Sequence, residues 1–170
     1  MREVERVFRE RRLALDGPAA PFVAEAVFVE LDARVGALLR APPAPAEVLR
    51  ARLDAIDRAL WAVERVRDAH VVAASYRVGQ AFEHAAERLR DPSLRRRAIE
   101  RYVGAVHASQ SSGAPSLFAD AARSRLREID TRAAVDAVIR AQAAPSLHRR
   151  ASAGAPLLET APVYTTHLAR

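Results

Sequence analysis

Between Leu49 and Val63 the large apolar residues fall at Leu49, Leu53, Ile56, Leu60 and Val63, alternating steps of four and three. Such a series lies on one stripe only in an α-helix, whose repeat is about 3.6 residues. The same rhythm returns at Val71, Ser75, Val78, Phe82, Ala85 and Leu89, and Asp91-Pro92 ends it. Asp68-Ala69-His70 leaves room only for a tight turn between the two series, so these helices are expected to lie antiparallel.

Composition carries the helical reading along the rest of the chain. Alanine occurs 38 times and glycine 6 times in 170 residues. Alanine is the best helix former, and its small side chain lets helices approach closely, so the core is expected to be thin and alanine-lined. An earlier helix is predicted from about Met1 to Leu15, with Val4, Phe8 and Leu15 on its apolar side and Asp16-Gly17-Pro18 as its stop. Another spans about Ala20 to Arg40, and Ala41-Pro42-Pro43-Ala44-Pro45 breaks it.

After Pro92, Ser93 is the expected N-cap of a helix from Leu94 to about Ala108. Ser109 to Pro115 reads as a flexible polar loop. Ser116 then caps a helix with Phe118, Ala122, Leu126 and Ile129 inward, and Thr131 either begins one more helix or continues that one. From Gln142 the periodicity fails, and Pro145, Pro156 and Pro162 mark an extended or disordered tail. The expected architecture is all-α, with six or seven helices in antiparallel hairpins. A single domain covers residues 1–141 and a tail covers 142–170.

All 27 basic residues are arginine, and the formal net charge is +6. A complete lack of lysine points to codon bias. Acidic residues are interspersed, so a solvated mixed-charge surface accounts for most of the arginines. Arg95, Arg96, Arg97 and Arg101 are the candidate partner-binding exception, crowded at one helix–helix corner. Arginine forks suit phosphate and carboxylate alike. Helical spacing fans Arg95, Arg96 and Arg97 over about 200°, too wide for one phosphate backbone.

Catalytic and metal chemistry find no foothold in the residue pattern. There is no cysteine, which excludes disulfides and a thiolate nucleophile. The histidines are His70, His84, His107, His148 and His167; none pairs at i, i+4, and none follows a glutamate by three residues. Glu83 and His84 are adjacent and are expected to point in different directions. Asp54 and Asp57 are the one carboxylate pair of interest, and Arg50 and Arg58 flank Asp54 as local ion partners. Ser111-Ser112-Gly113 lacks the lysine of a phosphate loop. No cofactor and no metal are expected. The charged first residues do not form a secretory signal, and no apolar run approaches the ~18 residues that would span a membrane, so a soluble cytoplasmic protein is expected.

One motif is suggestive. Val78-Gly79 followed by Phe82, then Ala98, Tyr102 and Ala105, is similar to the tetratricopeptide-repeat pattern. In that family a small residue marks where the second helix crosses the first, a large residue three positions on fills the groove beside it, and the second helix offers small–aromatic–small. Ala121, Arg125 and Leu126 read as a further partial unit. The interval from Gly79 to Ala98 exceeds the spacing within the family's unit of about 34 residues. The resemblance, covering about Val71 to Ile129, is therefore to the divergent bacterial versions in which helix length varies. It implies a right-handed repeat array, where composition alone leaves an irregular bundle open. The function it implies is a non-enzymatic protein–protein scaffold or adaptor in a larger assembly. An arginine-rich nucleic-acid accessory protein and a helical subunit that packs against copies of itself are the other readings. Tyr164 and the leucines of the tail are the candidate anchors for docking across a helical groove.

Overall fold

The computed structural model describes residues 20–66, 70–113 and 115–143. Among them lie six helices and no strand: α1 (Ala20–Arg40), α2 (Ala46–Val66), α3 (His70–Leu89), α4 (Pro92–Ser112), α5 (Leu117–Ile129) and α6 (Thr131–Ala143). The all-α expectation holds. The helix predicted for Met1 to Leu15, the turn residues before His70, and the tail beyond Ala143 with Tyr164 lie outside the described residues.

Each helix packs on its successor, and α1 on α3, α3 on α5 and α4 on α6 as well. The exception is α2 and α4, which stand apart and meet through long side chains. The α2 stripe behaves as its spacing requires, with Leu49, Leu53, Ile56, Leu60 and Val63 all buried. Val27, Leu31, Val35 and Leu38 of α1 complete that half of the core. The α3–α4 half is finer grained, built from Ala74, Val78, Gly79, Ala81, Phe82 and Ala85 against Ala98, Tyr102, Ala105 and Val106.

Gly79 decides how close α3 and α4 come. A Cβ added there would lie 2.6 Å from a ring carbon of Tyr102, well inside contact distance. The ring is fully buried and flanked by neighbours, so it has no easy retreat. The glycine expected at a close helix crossing is at one, and Phe82, three residues on, is buried beside it.

Helix ends show where the sequence reading needs correction. Asp91, and not Ser93, caps α4: its Oδ1 accepts hydrogen bonds from the Ser93 amide at 2.9 Å and the Ser93 hydroxyl at 2.6 Å, while Pro92 takes the first helical position. Arg90 takes the left-handed backbone (φ 51°) that ends α3, and the Asp91 amide donates back to the Ala86 carbonyl. The expected loop from Ser109 begins four residues later. Ser109 is buried in α4, the Ser112 hydroxyl donates to its carbonyl, and the helix stops only at Gly113, which adopts φ 68°. Ser116 does stand at the N-cap of α5, without a side-chain cap bond. Asp130 separates α5 from α6; its extended backbone ends the one, and its Oδ1 accepts from the Ala133 amide to start the other. α6 runs through Ala143, so Gln142 and Ala143, read from the sequence as the start of the tail, are helical.

Candidate functional site

α3 carries a second stripe that is not apolar. Tyr76, Gln80, Glu83 and Glu87 follow one another at steps of four, three and four on a single helix face. That face lies between α1 and α5, and two adjoining clefts open along it. The smaller, about 280 Å³, is lined by Leu39 of α1, by Tyr76, Gln80, Glu83, His84 and Glu87 of α3, and by Tyr102 and Arg125. The larger, about 390 Å³, runs towards the α3–α4 turn between Glu83, Glu87, Arg90, Arg95, Glu128 and Ile129. Glu83, Glu87 and Arg125 belong to both walls, so the clefts meet there.

At that junction the polar side chains form a node. The Tyr102 hydroxyl donates to Glu83 Oε2 at 2.8 Å. Arg125 donates from Nε to both Glu83 oxygens at 2.9 and 3.0 Å, and from its terminal nitrogen to Oε1 at 2.5 Å. A further Arg125 nitrogen donates to Glu128. Glu83 and Glu128 hold the Arg125 guanidinium even further above its ordinary range. Burial first, then the hydrogen bond to Glu83, pushes the Tyr102 phenol well above the usual tyrosine value. Three helices from two hairpins are joined through one carboxylate.

An aromatic shelf continues the face. Tyr76 lies 5.7 Å from the Tyr102 ring and 5.9 Å from Phe118, measured between centroids. Phe118 was expected inward; it occupies the first turn of α5, one residue before the buried Ala119, and stays 40% exposed against Tyr76. Arg77 ties the shelf to α1 by pairing with Asp32 and donating to Gln80 Oε1 at 2.7 Å. Burial, then the Arg88 charge, lowers the His84 pKa against the opposing pull of Glu87, which favours the neutral ring. Glu83 and His84 point in different directions, as their adjacency requires, and reach one cleft only with the help of neighbouring helices. They are about 100° apart on the helix, and a cleft between three helices spans that angle.

The arginines singled out from the sequence divide sharply. Arg95 lines the larger cleft and donates to the Ile129 carbonyl at 3.3 Å. Arg96 is exposed. Arg97 sits 4.2 Å above the Phe82 ring centre and donates to Asp57 at 2.7 Å. Arg101 donates to the other Asp57 oxygen at 2.7 Å and reaches Glu64 at 3.4 Å. Asp57 is thus an inter-helix partner, and Arg50 turns to Asp91 at 3.4 Å where Asp54 had been expected. Tyr76, Gln80, Glu83, His84, Phe118 and Arg125 were not singled out as a site. The polar stripe on α3 was the available signal.

Among the described residues no group of three or more His, Asp or Glu side chains is placed to hold a metal, and no helix is long and apolar enough to cross a membrane. No family model, curated protein or solved structure matches the chain.

Proposed function

We propose that this chain is a non-enzymatic scaffold, a stack of helical hairpins of the tetratricopeptide-like kind whose α1/α3/α5 face holds a segment of a partner protein. The observation that carries this reading is the face itself. It joins an aromatic shelf at Tyr76 and Phe118 to a row of polar groups at Gln80, Glu83, His84 and Arg125, the mixture of apolar anchors with donors and acceptors that peptide recognition uses. Support also comes from the packing of successive and next-but-one helices, and from the close crossing at Gly79. The hairpins begin at Ala20, His70 and Leu117, intervals of 50 (70 − 20) and 47 (117 − 70) residues. Helices of about 20 residues account for the excess over the family's unit of about 34 residues.

Self-association is the second reading, favoured by one feature: Val135 and Ile139, one turn apart on α6, are both exposed. Nucleic-acid binding is weaker, since Arg97 and Arg101 spend their charge on Asp57 and Glu64.

Light scattering after size exclusion, on the chain alone, with added nucleic acid and in its native assembly, tests the choice. The expected mass gain comes from a protein partner and is lost in a Glu87→Arg/Phe118→Ala variant whose circular dichroism is unchanged. Retention of the partner by that variant, or a mass gain with nucleic acid alone, defeats the proposal.

A further inference from the structure

The groove beside α3 has two unlike ends. α5 runs along α3 in the same direction, since Phe118 meets Tyr76, Arg125 meets Glu83, and Glu128 shares a cleft wall with Glu87. Tyr76 and Glu87 are eleven residues apart (87 − 76) on one helix, which is roughly 16 Å of axis. One end is the aromatic shelf of Tyr76 and Phe118. The other is charged.

At the charged end, what matters is which groups are still unpaired. Glu83 accepts from Tyr102 and Arg125, and Glu128 from Arg125. Asp91 accepts from Ser93 and faces Arg50. Arg95 donates to the Ile129 carbonyl. Glu87 is exposed, and among the described residues it has no hydrogen-bond or ion-pair partner. Glu83 precedes it by four residues and Asp91 follows it by four, and both line the same cleft. Arg90 is also unpaired among the described residues. It follows the end of α3 in a left-handed turn and lines the larger cleft, whereas Glu87 lines both. Four carboxylates and three guanidiniums line the joined clefts, so this stretch is acidic by one charge on a chain whose formal net charge is +6.

We propose that the occupant of the groove is an extended segment carrying an apolar side chain on Tyr76 and Phe118 and a lysine or arginine against Glu87. The proposal rests on the peptide-groove reading above and adds the chemistry of the peptide. An extended chain advances about 3.3 Å per residue, so about five residues separate the two anchors. Leu39 gives the aliphatic stem of the basic residue an apolar wall on the way to Glu87. Between the anchors Glu83, Arg125 and Tyr102 satisfy one another, so that part of the groove asks for shape and not for a particular side chain. An acidic residue at the second anchor would meet Glu87 as a like charge, with Glu83 and Asp91 close behind.

The probe is a phage-displayed library of random short peptides long enough to span the groove. It is selected against the full chain and against its Glu87→Arg and Phe118→Ala variants, each with unchanged circular dichroism. The full chain is expected to enrich an apolar residue with lysine or arginine about five positions away. Glu87→Arg should exchange that basic residue for aspartate or glutamate and keep the apolar one, and Phe118→Ala should do the reverse. In a selected peptide, replacing the basic residue with glutamate should weaken binding about tenfold at low salt, and Glu87→Arg should recover most of the loss. Enrichment of acidic residues by the full chain overturns the proposal in favour of Arg90. A basic preference that Glu87→Arg leaves unchanged overturns it as well, and in both cases the groove still binds peptides. If none of the three proteins enriches any sequence, the groove reading itself fails and this proposal with it.

Discussion

The α1–α2 pair and the α3–α4 pair are both antiparallel hairpins of long helices, yet their interiors follow different rules. Between α1 and α2 the core is leucine, isoleucine and valine at regular steps, from Val27 to Leu38 and from Leu49 to Val63. Between α3 and α4 it is mostly alanine and glycine, with Val78 and Val106, around two large rings, Phe82 and Tyr102. Branched aliphatic side chains fill space between helices at an ordinary distance, and many combinations of them do so equally well. A glycine facing a tyrosine ring works only at one distance and one register. The first hairpin is specified by pattern, the second by particular residues.

Substitutions can break or sharpen that contrast. Phe82→Ala should be the most damaging, removing the ring beneath Arg97 and costing about 3–5 kcal/mol, measured by chemical denaturation. An unchanged midpoint would show that the α3–α4 interior tolerates loss as a generic core does. Gly79→Ala should cost about 1–3 kcal/mol through overpacking on Tyr102, although alanine is the better helix former, and Gly79→Leu should be worse. A higher melting temperature for either variant would overturn the close-crossing account.

Tyr102→Phe should cost about 1–2 kcal/mol, because Glu83 keeps Arg125 but loses the phenol. It should also change the alkaline limb of the stability curve. In the folded state Tyr102 holds its proton above the ordinary tyrosine value, whereas the unfolded chain releases it near pH 10. Its contribution is therefore complete below about pH 10 and declines as pH rises beyond that. Melting scans from pH 8 to 11 should fall less steeply for the phenylalanine variant; parallel curves would detach the phenol from Glu83. The smallest effect is a gain. Gly104 lies on α4 with nothing within 4 Å of an added Cβ, so Gly104→Ala should stabilise by about 0.5–1 kcal/mol. Opposite signs at Gly79 and Gly104, from the same substitution in adjacent helices, would be the clearest evidence that one glycine is there for proximity and the other is not.

What could be read from the sequence follows the same division. The α2 stripe was legible in full, since burial on one face imposes periodicity. Gly79 was legible through its cost, because a glycine inside a helix asks for a reason. The helix ends were less so. Asp91 and Ser93 are both good caps, and the choice between them depends on Pro92 fitting the first turn. Ser109 to Ser112 looked like a loop because serine is common in loops, yet the segment continues α4, with the Ser112 hydroxyl donating to the Ser109 carbonyl one turn back. The site was the least legible part. Tyr76, Gln80, Glu83 and Glu87 share a face that can be counted out, but Arg125 and Phe118 join them from a helix some 40 residues away. Only tertiary packing brings those together.

The gap between α2 and α4 has a mechanical consequence. Neighbouring hairpins pack directly along α1, α3 and α5, with Arg77–Asp32 and Arg125–Glu83 among the contacts, while α2 and α4 are joined by Asp57 and Glu64 reaching Arg97 and Arg101. Apolar seams resist opening at any ionic strength, whereas partly exposed ion pairs weaken as salt screens them. Raising the salt concentration should therefore loosen α2 from α4 before it disturbs the packing of α3 on α4.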